Sequence, residues 1–255
     1  MRSAQEVRHS KWYGTAVTVG LIAYGVVHLL IAWIALQLAW GQSSQEASQQ
    51  GALQELAGKP FGGVLLWIVA VGLFALVLWR VLDLAYGDLD TEKRVSSAGR
   101  AVVYLVLGVS AVKVALGSGS SSTNQQQTLS ARLMEHGIGR VLIVIVGLVV
   151  IGIGIRQLHK AYKKKFTEDL VGGVSHTTIR LGQIGYAAKG VAFIVVGVLF
   201  GWAAISYDPD KAGGLDAALH TIKQQPFGSV LLTVLALGIA AFAAYCFTWS
   251  RNAKI

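Results

Sequence analysis

Six long apolar stretches alternate with shorter polar segments along the chain. They cover residues 14–40, 61–82, 99–117, 138–158, 182–206 and 227–249. A helix needs about 20 mainly apolar residues to cross the hydrocarbon core of a bilayer, and each stretch comes close to or exceeds that length. Apolar runs this continuous do not fit the alternating strands of a membrane barrel. The pattern therefore predicts an all-α, polytopic transmembrane bundle of six helices.

Composition and charge support this prediction. Hydrophobic residues make up 54% of the chain and charged residues only 14%, whereas soluble domains carry about 25% charged residues. Sixteen Lys and Arg residues fall on the side of the two termini and only five on the opposite side. The net charge of +9 then reflects the positive-inside rule and does not indicate a nucleic-acid partner. We expect a multi-pass protein of the cell inner (plasma) membrane with both termini cytoplasmic.

One short motif opens three of the six stretches. The chain reads "PFGGVLL" at 60–66, "GIGRVLI" at 137–143 and "PFGSVLL" at 226–232. The other three stretches are related in the same way, through "AYGVVHLL", "GRAVVYLV" and "AKGVAFIV". Such self-similarity indicates one structural unit used three times.

The spacing within the units predicts their topology. Tyr24, Arg100 and Lys189 occupy equivalent positions, each 37 or 38 residues before the Phe or Ile of the motif. The prediction is a single transmembrane domain, 1–255, of three parallel two-helix hairpin repeats. Their bounds are 11–88, 96–166 and 178–251. Three parallel units allow pseudo-threefold symmetry along the membrane normal, although pairwise packing without a central axis is also compatible.

A short amphipathic segment precedes the motif in the first and third repeats. "GALQELAG" (51–58) and "AALHTIKQ" (217–224) each place two apolar residues three apart, which predicts a short helix in the outer interface. The following proline fits the first turn of the next helix. The middle repeat lacks this proline and has a Ser/Gln-rich stretch, "SGSSSTNQQQ" (118–127), which predicts a loop.

These features together resemble a known family. The segments "AKGVAFIVVG", "YDPDKAGGLDAAL" and "QQPFGSVLL" are similar to the bacterial membrane family called domain of unknown function 1206, found in actinobacteria and cyanobacteria. The resemblance covers nearly the whole chain and is strongest in the third repeat. It implies the fold and the membrane location, and it implies no activity.

Chemically reactive groups are scarce in the apolar stretches. No Asp or Glu lies clearly within one, and the sequence shows no catalytic constellation, metal-ligand pair or cofactor motif. We therefore expect no enzymatic activity, no metal and no cofactor. Lys113, His28 and Gln37 are the candidate lipid or ligand contacts, because intramembrane polar groups commonly mark functional sites. The alternatives are interfacial snorkelling for Lys113 and polar packing for His28.

Small residues recur at positions suited to close helix packing. Ala70, Gly147 and Ala236 align across the three repeats, and Gly197 and Gly201 form a GxxxG motif. Such residues let two helix backbones approach closely, either within the monomer or in a homo-oligomer.

The expected function is therefore binding and not catalysis. The leading hypothesis is a non-enzymatic integral membrane protein of unknown activity that binds membrane lipids or a membrane protein partner, itself included. The alternative is a channel or facilitative transporter with a pathway between the three hairpins. A continuous polar cavity along the axis would favour the alternative.

Overall fold

The fold, seen in a computed structural model, consists of long helices joined at one end by short ones. The structure describes residues 11–41, 45–86, 90–118, 121–172 and 174–253. The long helices are α1 (Lys11–Ala39), α3 (Gly62–Tyr86), α4 (Thr91–Ala115), α6 (Gly137–Tyr162), α7 (His176–Ser206) and α9 (Gly228–Arg251). The short helices are α2 (Gln49–Ala57), α5 (Ser122–Met134) and α8 (Gly214–Lys223). All six long helices are long and apolar enough to cross a membrane, as predicted.

The two ends of the bundle differ in construction. The three short helices connect the long ones at one end, here called the cap end. The opposite end, the base end, holds the 3₁₀ turn Lys165–Asp169 and the last turn of α9. Val171 donates its backbone N–H to the carbonyl of Asn252 over 2.8 Å, which ties the α6–α7 connection to the end of α9.

The six long helices form a ring in chain order. Helix α1 packs against α3, α3 against α4, α6 against α7, α7 against α9, and α9 returns to α1. The most extensive packing joins successive repeats, at α3–α4, α6–α7 and α9–α1, while packing within a repeat is less extensive. Among the described residues, α4 and α6 of the middle repeat share no extensive contact. The result is a ring with a threefold pattern that opens between these two helices.

Close glycine contacts repeat the same pattern. In α7, a Cβ on Gly190 would lie 2.9 Å from the carbonyl oxygen of Gly154 in α6. In α1, the equivalent Gly25 lies against α9, where its Cβ would be 3.3 Å from the carbonyl oxygen of Ala243. Gly154 and Ala243 are themselves equivalent, 89 residues apart like Ile138 and Phe227. The repeats therefore contact one another through corresponding surfaces.

The repeated motif turns the chain from a short helix into a long one. Phe61 and Phe227 adopt the left-handed conformation, with φ of 62° and 60°, and their side chains are 83% and 84% exposed. Ile138, at the same place in the middle repeat, is 87% exposed. These three side chains point away from the protein at the cap end, where they are suited to contact the lipid interface.

The glycine after each of these residues is required by a close backbone approach. A Cβ on Gly62 would lie 2.4 Å from the carbonyl oxygen of Leu56, at the end of the preceding short helix. The same overlap recurs at Gly139 and Gly228, at 1.9 Å and 2.1 Å from backbone oxygens of the short helices before them. Only glycine lets the long helix start directly against the short one. This explains why the motif has a glycine at this position in every repeat.

The structure corrects several sequence-based boundaries, mostly at the base end. The long helices extend there to Tyr86 and Tyr162, and α7 begins at His176, because polar turns continue the apolar segments. Ser175 accepts a hydrogen bond from the Thr178 backbone N–H and so caps α7 six residues before the predicted start.

Two predictions for the cap end were wrong in detail. The Ser/Gln-rich stretch is mainly helical, because Ser121 caps α5 by accepting a hydrogen bond from the Asn124 backbone N–H. Pro60 and Pro226 lie in the turns before α3 and α9 and not in the first turns of those helices. The predicted short helices α2 and α8 are confirmed.

Hydrogen bonds link the three cap segments to one another. Ser121 of the middle repeat donates to the carboxylate of Glu46 in the first repeat. Thr123 donates to the carbonyl of Gly213 in the third repeat over 3.3 Å. The middle cap segment therefore bridges the other two.

A third link completes the circle between the third and first repeats. The Ala47 backbone N–H donates to Asp216 Oδ1 over 2.8 Å. Burial raises the pKa of Asp216, an effect that the Ala47 hydrogen bond partly offsets and that the nearby Glu46 carboxylate reinforces. The caps thus form a closed set of contacts across one end of the ring.

Candidate functional site

The interior of the ring toward the base end holds a group of charged and aromatic side chains, called here the basic–aromatic cluster. It comprises Tyr24, His28, Trp79, Arg80, Arg100, Tyr104, Lys160, Tyr186, Lys189, Phe242 and Trp249. Each of the six long helices contributes at least one of these residues. Ionisable side chains within membrane helices are the first candidates for a functional site.

Lys189 is the most deeply placed charge of the cluster. It is the fourteenth of the 31 residues of α7, far from both helix ends. Its Nζ donates to the Tyr24 hydroxyl over 3.1 Å, and it is 3.3 Å from His28 Nε2 and 3.8 Å from the centre of the Phe242 ring. No carboxylate of the described chain forms an ion pair with Lys189, so hydrogen bonds and ring faces stabilise its charge.

His28 joins this group from α1 and is 4% exposed. Its Nδ1 lies 2.9 Å from the carbonyl oxygen of Tyr24, so a ring N–H at Nδ1 leaves Nε2 as the acceptor for Lys189. Tyr24 packs edge-on against Tyr104 of α4, with ring centres 5.2 Å apart. The first long helix of each repeat, α1, α4 and α7, therefore contributes to this group, together with Phe242 of α9.

Asp169 joins the two helices that the ring leaves apart. Its Oδ2 accepts from Arg100 of α4 and from Lys160 of α6, each over 3.1 Å. Burial alone raises the pKa of Asp169, but the combined attraction of Arg100, Lys160 and Arg80 outweighs it and holds the pKa below its usual range. Asp169 therefore stays ionised and closes the base end of the ring electrostatically.

Arg80 is the most buried cation of the cluster, at 3% exposure. Its guanidinium carbon lies 3.8 Å from the centre of the Trp79 ring, and its Nη1 pairs with Asp83 over 3.3 Å. Its Nε and Nη2 are buried and have no acceptor within the described chain. Trp249 Nε1 is in the same situation.

The cluster has more positive than negative charge. Arg80, Arg100, Lys160 and Lys189 contribute four cations, and the carboxylates that pair with them are Asp83 and Asp169. The buried side-chain atoms of the described chain that lack a partner are all N–H donors. This arrangement is suited to bind an anionic acceptor.

Sequence analysis did not identify this cluster. The positive-inside count took Lys113 as the one Lys or Arg inside a span and placed Arg100 and Lys189 at the cytoplasmic ends of their helices, where they would act as anchors. Lys189 lies instead fourteen residues into α7, inside the ring. The repeat alignment contained the missing signal, because Arg100 and Lys189 both align with Tyr24, which lies inside the first apolar stretch.

The residues singled out as ligand contacts lie in different places. Lys113 is exposed near the cap end of α4, apart from the basic–aromatic cluster, and Gln37 is half-buried near the cap end of α1. His28 alone lies within the cluster. Contacts of Lys113 and Gln37 with lipid stay predictions.

The small residues singled out from the sequence are mostly buried at helix contacts. Ala70 and Ala236 are 1% and 2% exposed. Gly147 and Gly197 face each other, because a Cβ on Gly197 would lie 2.6 Å from the Gly147 carbonyl oxygen. Gly201 differs: a Cβ there would meet no atom within 4 Å.

A separate apolar groove lies between α1 and α9 toward the cap end. Its volume is about 440 Å³. It is lined by Leu29, Leu30, Ala32, Trp33, Leu36, Glu55, Lys59, Ala236, Leu237 and Ala240. Leu29, Trp33 and Leu237 are 47–59% exposed, so the groove opens on the outer face of the ring.

Metal ligation and an axial pathway are two further features that bear on function. Within the described ranges, no group of three His, Cys, Asp or Glu side chains is placed to hold a metal ion. A second cavity, of about 350 Å³, lies along α5 at the cap end. Neither this cavity nor the apolar groove runs along the ring axis.

The three repeats are similar to known protein sequences. The family model described as Domain of Unknown Function (DUF1206) matches three times, at residues 19–86, 95–164 and 184–253. The Bacillus subtilis (strain 168) "Uncharacterized protein YxxB" is 30% identical over 249 residues, covering 92% of this chain and 89% of that protein. No solved structure matches the chain. The three family matches confirm the internal repeat.

Proposed function

Because the chain belongs to the DUF1206 family, whose description specifies no activity, we propose from its own geometry that it is a non-enzymatic integral membrane protein that binds a membrane lipid. The proposed site is the groove between α1 and α9. The observation that carries the proposal is that this groove combines apolar walls open to the bilayer with a pair of opposite charges at its cap end.

The length of the groove matches one leaflet. Leu29 lies ten residues from Ala39, the end of α1, which corresponds to about 15 Å along a helix. The hydrocarbon core of a bilayer is about 30 Å thick, so the groove extends through about half of it. An acyl chain of the cap-side leaflet therefore fits its length and its apolar walls.

The charged end of the groove favours a headgroup that carries both signs. Lys59 Nζ pairs with Glu55 Oε1 over 2.7 Å, and the Lys59 side chain is 55% exposed. The ammonium of Lys59 is placed to attract a lipid phosphate, and the carboxylate of Glu55 is placed to accept from a lipid amine. Phosphatidylethanolamine provides both groups.

Filling the groove should remove the bound lipid. We expect Ala240→Phe to occupy the space of the acyl chain and to weaken phosphatidylethanolamine binding by at least about tenfold, a loss of about 1.4 kcal/mol. Lys59→Gln should weaken binding less, because it removes only one headgroup contact. Native mass spectrometry of the purified protein titrated with phosphatidylethanolamine counts the bound lipids directly.

The matched control is Gly152→Phe, which adds the same side chain where a Cβ would meet no atom within 4 Å. This variant should bind phosphatidylethanolamine like the wild type. Equal lipid binding by Ala240→Phe and the wild type would refute the groove as the site.

The proposal also places the base end in the cytoplasm of the cell, with the protein in the plasma membrane. Its support is the exposed basic residues Lys163 and Lys164 at that end. Arg2, Arg8 and Lys254, which strengthen the charge bias in the sequence, lie outside the described residues.

Cysteine labelling tests this orientation. The native Cys246 is buried, so its own reaction with the maleimide should be small. We expect Asp210→Cys, at an exposed cap position, to react with a membrane-impermeant maleimide in intact cells, and Lys163→Cys to react only after permeabilisation. Ser121 is a second cap position, and Ser44, a third expected from sequence, lies outside the described residues. The reverse pattern of labelling would invert the topology.

A facilitative transporter is the alternative, and Lys189 is the observation that favours it. An anion moving along the ring axis would meet its ammonium group between α1 and α7. The hydrogen-bonded caps cross that route at one end. A membrane protein partner or a homo-oligomer stays a prediction, as does the expectation that the protein binds no nucleic acid.

A further inference from the structure

Three buried N–H groups without an acceptor among the described residues lie in the part of the ring near its base end. They are Nε and Nη2 of Arg80 and Nε1 of Trp249. Arg80 is 3% exposed and Trp249 is 1% exposed, so bulk water does not reach these groups. Buried donors are almost always hydrogen-bonded in folded proteins, and three missing acceptors in one region indicate a ligand or ordered solvent there.

The two orphan groups of Arg80 form one edge of the guanidinium. Nη1, on another edge, already pairs with Asp83. The Nε–Nη2 edge presents two parallel N–H bonds, the geometry that binds two oxygens of a phosphate or carboxylate at once. This edge is therefore a preformed anion-binding surface and not a loosely placed charge.

Aromatic rings hold the donors in place. Trp79 stacks under the Arg80 guanidinium and packs against Trp249, with the two indole centres 6.1 Å apart. The guanidinium of Arg100, on α4, lies 5.9 Å from the centre of the Trp249 ring. Helices α3, α4 and α9 therefore bring two guanidinium groups and one indole N–H to the same region.

Charge distinguishes an anion from water as the missing acceptor. Arg80, Arg100 and Lys160 together bring three positive charges, and Asp83 and Asp169 bring two negative ones. Water satisfies the N–H groups but leaves the excess charge, whereas an oxyanion satisfies both.

We propose that a phosphate group binds between the Nε–Nη2 edge of Arg80 and the indole N–H of Trp249, next to Arg100. The phosphate has two sources: the headgroup of a lipid from the base-side leaflet, or inorganic phosphate. This site is independent of the apolar groove, which lies toward the cap end and contacts the other leaflet.

The test measures both sources on the full-length protein. Isothermal titration calorimetry follows inorganic phosphate added to delipidated protein in a neutral detergent and a phosphate- and sulfate-free buffer. Native mass spectrometry follows phosphatidylglycerol, with diacylglycerol as the probe that lacks the phosphate. We expect Arg80→Gln to weaken binding of the phosphate-bearing probe by about tenfold or more, since it removes charged hydrogen bonds. Trp249→Phe should weaken it by about fivefold, since it keeps an aromatic ring and removes one neutral donor.

Arg180→Gln is the matched control, because Arg180 is an exposed cation on α7 outside the cluster. It should bind both probes like the wild type. Binding of inorganic phosphate that depends on Arg80 identifies a soluble ion as the source, and binding of phosphatidylglycerol alone identifies a lipid headgroup. If Arg80→Gln fails to fold, Trp249→Phe and Arg80→Lys carry the comparison. Binding that is absent in the wild type, or equal in the wild type and the folded variants, overturns the proposal.

Discussion

Gly197→Ala should destabilise the protein by about 1–3 kcal/mol, the usual cost of overpacking a close contact. The added methyl group would lie 2.6 Å from the carbonyl oxygen of Gly147 and 2.9 Å from the backbone nitrogen of Ile151. Both atoms belong to the α6 backbone, so α6 and α7 must separate to make room. Each kcal/mol corresponds to a fall in melting temperature of about 2–4 °C for a chain of this size, which thermal unfolding in detergent can measure.

Gly201→Ala is the control one helical turn away in the same motif. A methyl group there meets nothing within 4 Å, and alanine is the better helix former by about 1 kcal/mol. This variant should therefore keep or raise the melting temperature. Equal losses in the two variants would show that the GxxxG motif acts as a unit and that the α6–α7 crossing at Gly197 is not the critical contact.

Asp169→Asn should cost about 3 kcal/mol, the lower end of the range for breaking a buried ion pair. The change leaves Arg100 and Lys160 without their shared carboxylate and removes the link between α4 and α6. The lower end applies because the side chains of Asp169 and Arg100 keep 22% exposure. Chemical or thermal unfolding of the two proteins side by side gives the difference.

Glu168→Gln is the neighbouring control. Glu168 pairs with Lys93 at 3.8 Å, and both side chains are more than half exposed, so the loss should stay below about 1 kcal/mol.

The pH dependence of stability provides a second test of Asp169. Because the pKa of Asp169 is lowered in the folded state, its contribution is complete above the unfolded value of about 3.9 and is lost as the pH falls through the folded value. The gap between wild type and Asp169→Asn should therefore narrow below about pH 4, and a constant gap would contradict the assigned role.

The architecture could be predicted from the sequence because a membrane imposes simple rules. Apolar length gave the six helices, and the motif around Phe61 and Phe227 gave the repeat. The errors at His176 and at the Ser/Gln-rich stretch have one cause: side-chain caps at Ser175 and Ser121 let polar residues begin a helix. Hydropathy alone does not register such local hydrogen bonds.

The basic–aromatic cluster could not be predicted in the same way. Arg100 is the second residue of its apolar stretch and Lys189 is the eighth of its own, and a basic residue toward the end of such a stretch usually reaches toward the interface. Whether such a side chain points into the ring or out of it depends on helix rotation, which the packing of neighbouring helices determines. The orphan donors of Arg80 depend further on which of its three nitrogens Asp83 occupies.

The opening between α4 and α6 has a consequence for how the protein is made. Helices enter the membrane in chain order during synthesis, and α4 finds α3 already in place as its partner. Helix α6 then has only the short α5 as an extensive partner among the described residues, because its main partner is α7, the next helix to be synthesised. Its glycine surface, at Gly147 and Gly154, faces lipid during that interval. The middle repeat therefore completes its packing after the first repeat, and it does so only once α7 of the third repeat has been synthesised.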